Sequence, residues 1–117
     1  MRSKAWTIKK RSEFVRIGKQ GARAKTCALI VLCLRSANKD SLPSVGYTAS
    51  KKVGNAVMRN RAKRRMRSLV HIFKSAFVPG YSFVFIATTD TVPCEFSKLQ
   101  SDFLFCVKKA MERADAC

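Results

Sequence analysis

The chain has 117 residues, enough for one modest core, and residues 1–117 read as a single domain because no Gly/Ser linker or internal repeat divides them. Lys+Arg number 24 against 7 Asp+Glu, a formal net charge of +17. Repulsion at that density opposes folding at low salt and is relieved by a polyanion, so nucleic acid is the expected partner; binding a membrane would need an exposed apolar helix face that the core claims here.

In chain order, Met1-Arg-Ser-Lys-Ala-Trp lacks the apolar run of a signal peptide. Lys9-Lys10-Arg11 forms a basic arm. Ser12 is a candidate cap for a short helix through Glu13, Phe14, Val15, Arg16 and Ile17, ended by Gly18 and Gly21. Phe14 and Ile17 are three apart and share a face. Cys27 to Leu34 is predicted to be a strand buried on both faces. It is the longest apolar run and too short to span a bilayer, so a cytoplasmic protein is expected. Residues 37–44, with Asn38, Lys39, Asp40 and Pro43, form a loop. Val45 to Ser50 is a second strand, most simply paired with the first as a hairpin.

Gly54-Asn55 opens a long helix with Asn55 as the N-cap, and Ala56 to about Ser75 contains no Gly or Pro. Met58, Ala62, Met66, Leu69, Phe73 and Phe77 recur at helical spacing, and Val70 widens the stripe. Pro79-Gly80 stops the segment. Tyr81 to Thr88, aromatic and β-branched, is a central strand. Thr91 to Pro93 connects it to a final helix, Glu95 to about Arg113, with Leu99, Phe103, Cys106, Val107 and Ala110 on one face. The pattern predicts an α/β sandwich, helices on a small mixed sheet.

Nothing in this pattern looks catalytic. His71 is the only histidine, has no nucleophile beside it and reads as a partly exposed helix residue. Carboxylates are scarce, and no G-x-x-x-x-G-K-[ST] phosphate loop is present. Cys27, Cys33, Cys94, Cys106 and Cys117 are odd in number and form no C-x-x-C pair, so buried free thiols in a reducing compartment are expected rather than zinc or disulfides.

The informative stretch is Lys51 to Arg67. Eight of its seventeen residues are basic: Lys51, Lys52, Arg59, Arg61, Lys63, Arg64, Arg65 and Arg67. Arg59, Lys63 and Arg67 form an i, i+4, i+8 stripe, with Asn60 and Arg64 beside it. Solvated helix faces usually mix Glu with Lys, because opposite charges four apart attract and like charges repel. Here no acidic residue occurs anywhere between Asp40 and Asp90. A rigid row of cations reaches successive phosphates, Arg donates in bidentate fashion, and Asn60 adds a neutral group that both donates and accepts.

Ser50-Lys-Lys-Val-Gly-Asn-Ala-Val-Met-Arg-Asn-Arg-Ala-Lys-Arg64 resembles the signature of the bacterial ribonuclease P protein family, with its Arg-Asn-Arg element after Gly-x-Ala-Val and before Lys-Arg. Lys9-Lys10, Glu13-Phe14, Val45-Gly46 and Val84 to Ala87 agree with it. The resemblance implies an α-β-β-β-α-β-α fold, a ribosomal-protein-S5-domain-2-like α+β two-layer sandwich with a mixed four-stranded sheet and a left-handed crossover. It also implies a further short strand near Ala22 to Lys25. It implies the protein subunit of a ribonucleoprotein endonuclease that removes the 5′ leader of precursor tRNA. The partners are then a catalytic RNA subunit and precursor tRNA, with no membrane and no protein partner evident. The RNA performs the hydrolysis with Mg²⁺, held mainly by the RNA and the substrate, and the isolated chain is not expected to cleave.

By the same resemblance Arg59, Asn60, Arg61, Lys63, Arg64 and Arg67 face the catalytic RNA. The leader runs between the first helix and the sheet, against Phe14, Thr48, Ser50, Lys51 and Lys52. Two positions depart from the family: Gly18 and Leu32 stand where aromatics are common. Tyr47 is the nearest substitute, at a position usually aliphatic, where a ring facing the core is the alternative. For Phe14, a helix-to-sheet core contact stands beside leader contact. A ribosomal or ribosome-assembly RNA-binding protein is the alternative function. A DNA-binding protein is the third, though no zinc finger, heptad zipper or helix-turn-helix partner accompanies the basic helix.

Overall fold

A computed structural model describes residue 8, residues 11–36, residue 40 and residues 42–116. Lys9 and Lys10 of the basic arm, most of the loop before Leu42, and Cys117 lie outside the described residues. The element order is α1 (Arg11–Gln20), β1 (Ala22–Lys25), β2 (Leu29–Arg35), β3 (Ser44–Thr48), α2 (Ala56–Ile72), β4 (Tyr81–Ala87) and α3 (Phe96–Ala116). Single 3₁₀ turns at Lys51–Val53 and Lys74–Ala76 flank α2.

The four strands make one mixed sheet in the order β1-β2-β4-β3. β2 pairs antiparallel with both β1 and β4, whereas β3 pairs parallel with β4. The expected β2–β3 hairpin is therefore not formed, because β4 lies between the two. Burial explains the order. β2 and β4 are apolar on both faces and take the centre. β1, Ala-Arg-Ala-Lys, and β3, with Ser44 and Thr48, can leave polar residues at the edges.

The two faces of the sheet bury different things. Leu29, Val31 and Cys33 of β2, Val45 of β3, and Phe83 and Phe85 of β4 meet Ala62, Met66, Leu69 and Val70 of α2 and the apolar stripe of α3. All five stripe residues expected on α3 are buried. On the other face a smaller cluster of Ile8, Ile17, Leu32 and Val84, with Phe14, Leu34 and Ile86 packed against it, holds α1 to the sheet. Ile8 donates its backbone N–H to the Val45 carbonyl at 2.9 Å, which ties the segment before α1 to β3.

Several boundaries move. Ser12 lies inside the first turn of α1 rather than capping it. Gly18 lies within the helix, which ends where Gly21 N–H reaches the Ile17 carbonyl at 2.8 Å. One interior glycine costs about 1 kcal/mol relative to alanine, a penalty that the burial of Ile17 and Phe14 outweighs. β2 begins at Leu29, two residues later than expected. This leaves Cys27 exposed; Cys94, in the turn before α3, is half-buried, so among the described residues Cys33 and Cys106 are the buried thiols expected. Burial pushes the Cys33 thiol up to about 12. α2 ends at Ile72, and the chain continues to the buried Phe77 through the second 3₁₀ turn.

Two side chains fasten the turn between β4 and α3. Thr91 is buried, donates its hydroxyl to the Ala28 carbonyl at 2.5 Å and accepts Thr88 N–H at 2.8 Å. Arg65 reaches across from α2 and donates to the carbonyls of Val92 and Cys94, the latter at 2.8 Å. This arginine belongs to the basic run in sequence and to the scaffold in structure.

Candidate nucleic-acid interface

α2 starts where the sequence places it. Asn55 has extended backbone angles and its side chain accepts Met58 N–H at 3.0 Å. Gly54, just before it, has φ of 142°, a conformation that side chains resist, and a Cβ there would meet Met58 Cβ at 3.0 Å. The turn that leads in is capped by Ser50, whose hydroxyl accepts Lys52 N–H at 3.3 Å. The signature's Ser-Lys-Lys-x-Gly-Asn is thus a run of caps that delivers the helix at a fixed angle from the end of β3.

With Ala62, Met66, Leu69 and Val70 buried, the remaining helix surface divides into two flanks. Arg59, Lys63 and Arg67 form the flank nearer β3, where the Arg67 guanidinium lies over the Tyr47 ring at 5.6 Å. Arg59 and Lys63 are half-buried and Arg67 is exposed. Asn60 and Arg64 stand on the exposed crest. Arg61 lies on the far flank, where it lines a small cavity with Arg64, Arg65, Ser68 and Phe96. The six residues expected at an RNA surface therefore all sit on the solvent side of one helix, although not on one line. Among the described residues none of the five charged ones makes an ion pair; the salt bridges lie on α1, on α3, and between Arg35 and Asp115.

The opposite layer holds a cleft of about 510 Å³ between α1 and the sheet. Arg11, Phe14, Val15 and Gly18 line it from the helix, and Leu32, Tyr47, Thr48, Val84 and Ile86 from the strands. Of the expected leader contacts, Phe14 and Thr48 are on its wall. Ser50, Lys51 and Lys52 are not; they follow in the exposed turn at the end of β3, with the Ser50 hydroxyl already engaged as a cap. Tyr47 borders the cleft through its strand, but its ring stacks on Phe85, 6.0 Å between centroids, on the face beneath α2. Burial there pushes its hydroxyl up to about 12, opposed in part by the Arg67 charge. It does not replace the aromatics missing at Gly18 and Leu32.

Phe14 is half-buried, with its ring on Gly46 of β3. A Cβ on Gly46 would lie 2.6 Å from two ring carbons of Phe14, far inside contact distance. The core contact considered for Phe14 is thus present, and the same residue also lines the cleft. Sequence reading missed Gly46 as a determinant, although a glycine between Val45 and Tyr47 in a strand marks a close approach. Gly46→Ala is expected to displace the Phe14 ring and cost roughly 1–3 kcal/mol through overpacking. Chemical denaturation, together with the NMR shifts of the ring, checks this; an unmoved ring and unchanged midpoint would contradict it.

No three His, Cys, Asp or Glu side chains among the described residues are grouped to hold a metal ion. No helix among them is long and apolar enough to cross a membrane.

Comparison with known proteins agrees with this geometry. Residues 2–111 match the model of the family described as Ribonuclease P. The chain is 34% identical over 112 residues to the ribonuclease P protein component of Gluconacetobacter diazotrophicus, covering 94% of this chain and 95% of the relative. It is 32% identical over 101 residues to that of Carboxydothermus hydrogenoformans, covering 86% and 87%. A solved structure of the Staphylococcus aureus RNase P protein superposes with a TM-score of 0.77 at 29% identity, covering 90% of this chain and 94% of the other. With a family match across nearly its whole length and the Arg-Asn-Arg helix exposed on its surface, the chain belongs to the ribonuclease P protein family.

Proposed function

We propose that the whole chain acts as one RNA-binding domain, the protein subunit of a cytoplasmic ribonuclease P. In this role it binds a catalytic RNA through α2 and the 5′ leader of precursor tRNA through the cleft beside α1. The observation that carries the reading is the acid-free surface of α2. Five cations and Asn60 stand on one capped helix with no carboxylate partner among the described residues, a cost in repulsion that a phosphate backbone relieves. Arg59, Lys63 and Arg67 hold phosphates, Arg61 and Arg64 extend the contact around the crest, and Asn60 meets a sugar hydroxyl or base edge. Lys51 and Lys52 continue the positive field from α2 toward the cleft mouth. Phe14 stacks on an unpaired leader base without demanding its identity, which suits a subunit that accepts many leaders.

Among the described residues the carboxylates are scattered and do not form a donor set that fits a bound Mg²⁺. The ion belongs with the RNA and the substrate, where it supplies the hydrolytic chemistry. What the protein contributes is charge, orientation of the leader and a stacking surface.

Phe14→Ala is expected to weaken binding of leader-bearing precursor tRNA by about 1–3 kcal/mol, the worth of one base stack, while mature tRNA is hardly affected. Gly18 offers the converse test, because a Cβ there meets nothing within 4 Å. Gly18→Phe restores a second ring to the cleft and should tighten precursor binding selectively. Fluorescence titration of the two tRNA forms against the reconstituted complex checks both variants. Equal loss for both tRNA forms in Phe14→Ala would assign that ring to packing alone. The function as a whole is tested by purification from cells: one non-ribosomal RNA should accompany the protein, whereas recovery with ribosomal subunits would favour a ribosomal role.

A further inference from the structure

Phe96 is the first residue of α3 and a large aromatic that neither core cluster claims; 37% of it is exposed. Its ring forms one wall of a recess of about 240 Å³ whose other walls are Arg61, Arg64, Arg65 and Ser68 of α2. Among the described residues no carboxylate lines it. The Arg65 guanidinium lies over the ring, 5.5 Å from its centroid, and is fixed there by the Val92 and Cys94 carbonyls. Arg65 is thus committed to the scaffold and the ring, and its position braces Phe96. Arg61 and Arg64 are exposed, and neither forms an ion pair among the described residues.

We propose that this recess takes one unpaired nucleotide of RNA, its base stacked on Phe96 and its phosphate held by Arg61 and Arg64. The assignment rests on the RNA-binding reading of α2 and adds to it a site on the opposite flank from Arg59, Lys63 and Arg67. The chemistry on the walls matches the three parts of a nucleotide. An aromatic ring paired with a guanidinium plane offers flat π-surfaces to a base. Two forked cations suit a phosphate, and the Ser68 hydroxyl suits a sugar or base edge. The volume admits a single base and its sugar rather than a paired helix. An RNA whose backbone crosses the crest of α2 at Asn60 and Arg64 has its next groups directly over this flank. The phosphates then provide charge-driven affinity on one side of the helix, and a flipped-out nucleotide provides a position-specific anchor on the other.

The probe is the ribonuclease P RNA of the same genome, transcribed in vitro and titrated with the full chain across a salt series. Phe96→Leu keeps apolar bulk at the start of α3 and removes the π-face. It should lower affinity about 5- to 150-fold, the equivalent of one base stack, with the salt slope unchanged. Phe96→Trp should restore affinity. Arg61→Ala with Arg64→Ala should lower affinity and also flatten the slope. Chemical probing of the RNA should show one nucleotide that wild-type protein protects and Phe96→Leu leaves reactive. Wild-type affinity and an unchanged probing pattern in Phe96→Leu, with weakened binding when Arg59→Ala is combined with Lys63→Ala, would overturn the pocket and leave the RNA-binding reading standing. A fall in melting temperature with no change in the probing pattern would likewise assign Phe96 to the fold. Failure of the wild-type chain to bind this RNA above duplex DNA would overturn both.

Discussion

Replacing Arg59 and Lys63 together with alanine is expected to weaken binding of the catalytic RNA and to flatten its salt dependence by roughly 1–2 units in log K against log salt, because each lost phosphate contact removes somewhat under one unit. At moderate salt the two lost contacts amount to about a 10- to 100-fold loss of affinity. Neither side chain belongs to the buried face of α2, which is Ala62, Met66, Leu69 and Val70, so the fold should survive. Circular dichroism and a thermal melt confirm that. Asn60→Ala behaves differently: it should lower affinity and leave the slope nearly unchanged, since it carries no charge. An unchanged slope in the double variant would make this stripe a solvated face. The RNA surface would then move to Arg11, Arg16 and Lys51, near the cleft.

Phe85→Ala carries the largest expected effect on stability. Its ring is fully buried at the centre of β4 and touches four other rings. Phe103 of α3 stacks on it at 5.1 Å between centroids, Tyr47 of β3 at 6.0 Å and Phe83 at 6.3 Å, while Phe77 meets it edge-on at 6.1 Å. Removing a buried phenylalanine costs about 3–5 kcal/mol, a large share of the roughly 5–15 kcal/mol available to a domain of this size. Urea denaturation should show that loss. The damage also reaches the interface, because Phe85 supports Tyr47 and Tyr47 lies under Arg67. RNA that binds only the folded form should return about 2.7 kcal/mol when present at 100 times its Kd. A loss under 1 kcal/mol would show that the aromatic cluster is not the centre of the core.

The two long helices were legible because helical periodicity survives in any single sequence. Leu99, Phe103, Cys106, Val107 and Ala110 share a face at helical spacing, and Asn55 before an uninterrupted run is a cap candidate that the structure bears out. Pairing was not legible, because an apolar run says that a strand is buried and not which strand lies beside it. The hairpin expected between β2 and β3 failed for that reason. β1 reads Ala-Arg-Ala-Lys, an alternation only four residues long and built from residues of low strand propensity, too weak to stand out; its pairing with Ile30 to Cys33 of β2 makes it a strand, and only the family resemblance placed it.

At the proposed site, charge pattern revealed the helix but not the division of labour on it. Arg65 looks like its neighbours in the sequence. Its position one residue before Met66 puts it on the flank of the buried stripe, and that angular argument was the available clue. Phe96 had none, since a single aromatic at a helix start is equally at home in a core. Gly46 was hidden because its role depends on Phe14, which arrives from a helix 32 residues earlier.

The most direct measurement is reconstitution on precursor tRNA. Protein freed of nucleic acid should leave the precursor intact. The RNA of the same genome together with the protein, at a Mg²⁺ concentration where RNA alone is slow, should release the 5′ leader and mature tRNA. The stimulation should be larger for substrates with a leader long enough to reach Phe14 than for those truncated to one nucleotide. Cleavage by RNA-free, nuclease-treated protein would contradict the account, and so would a reaction of RNA alone that the protein does not accelerate.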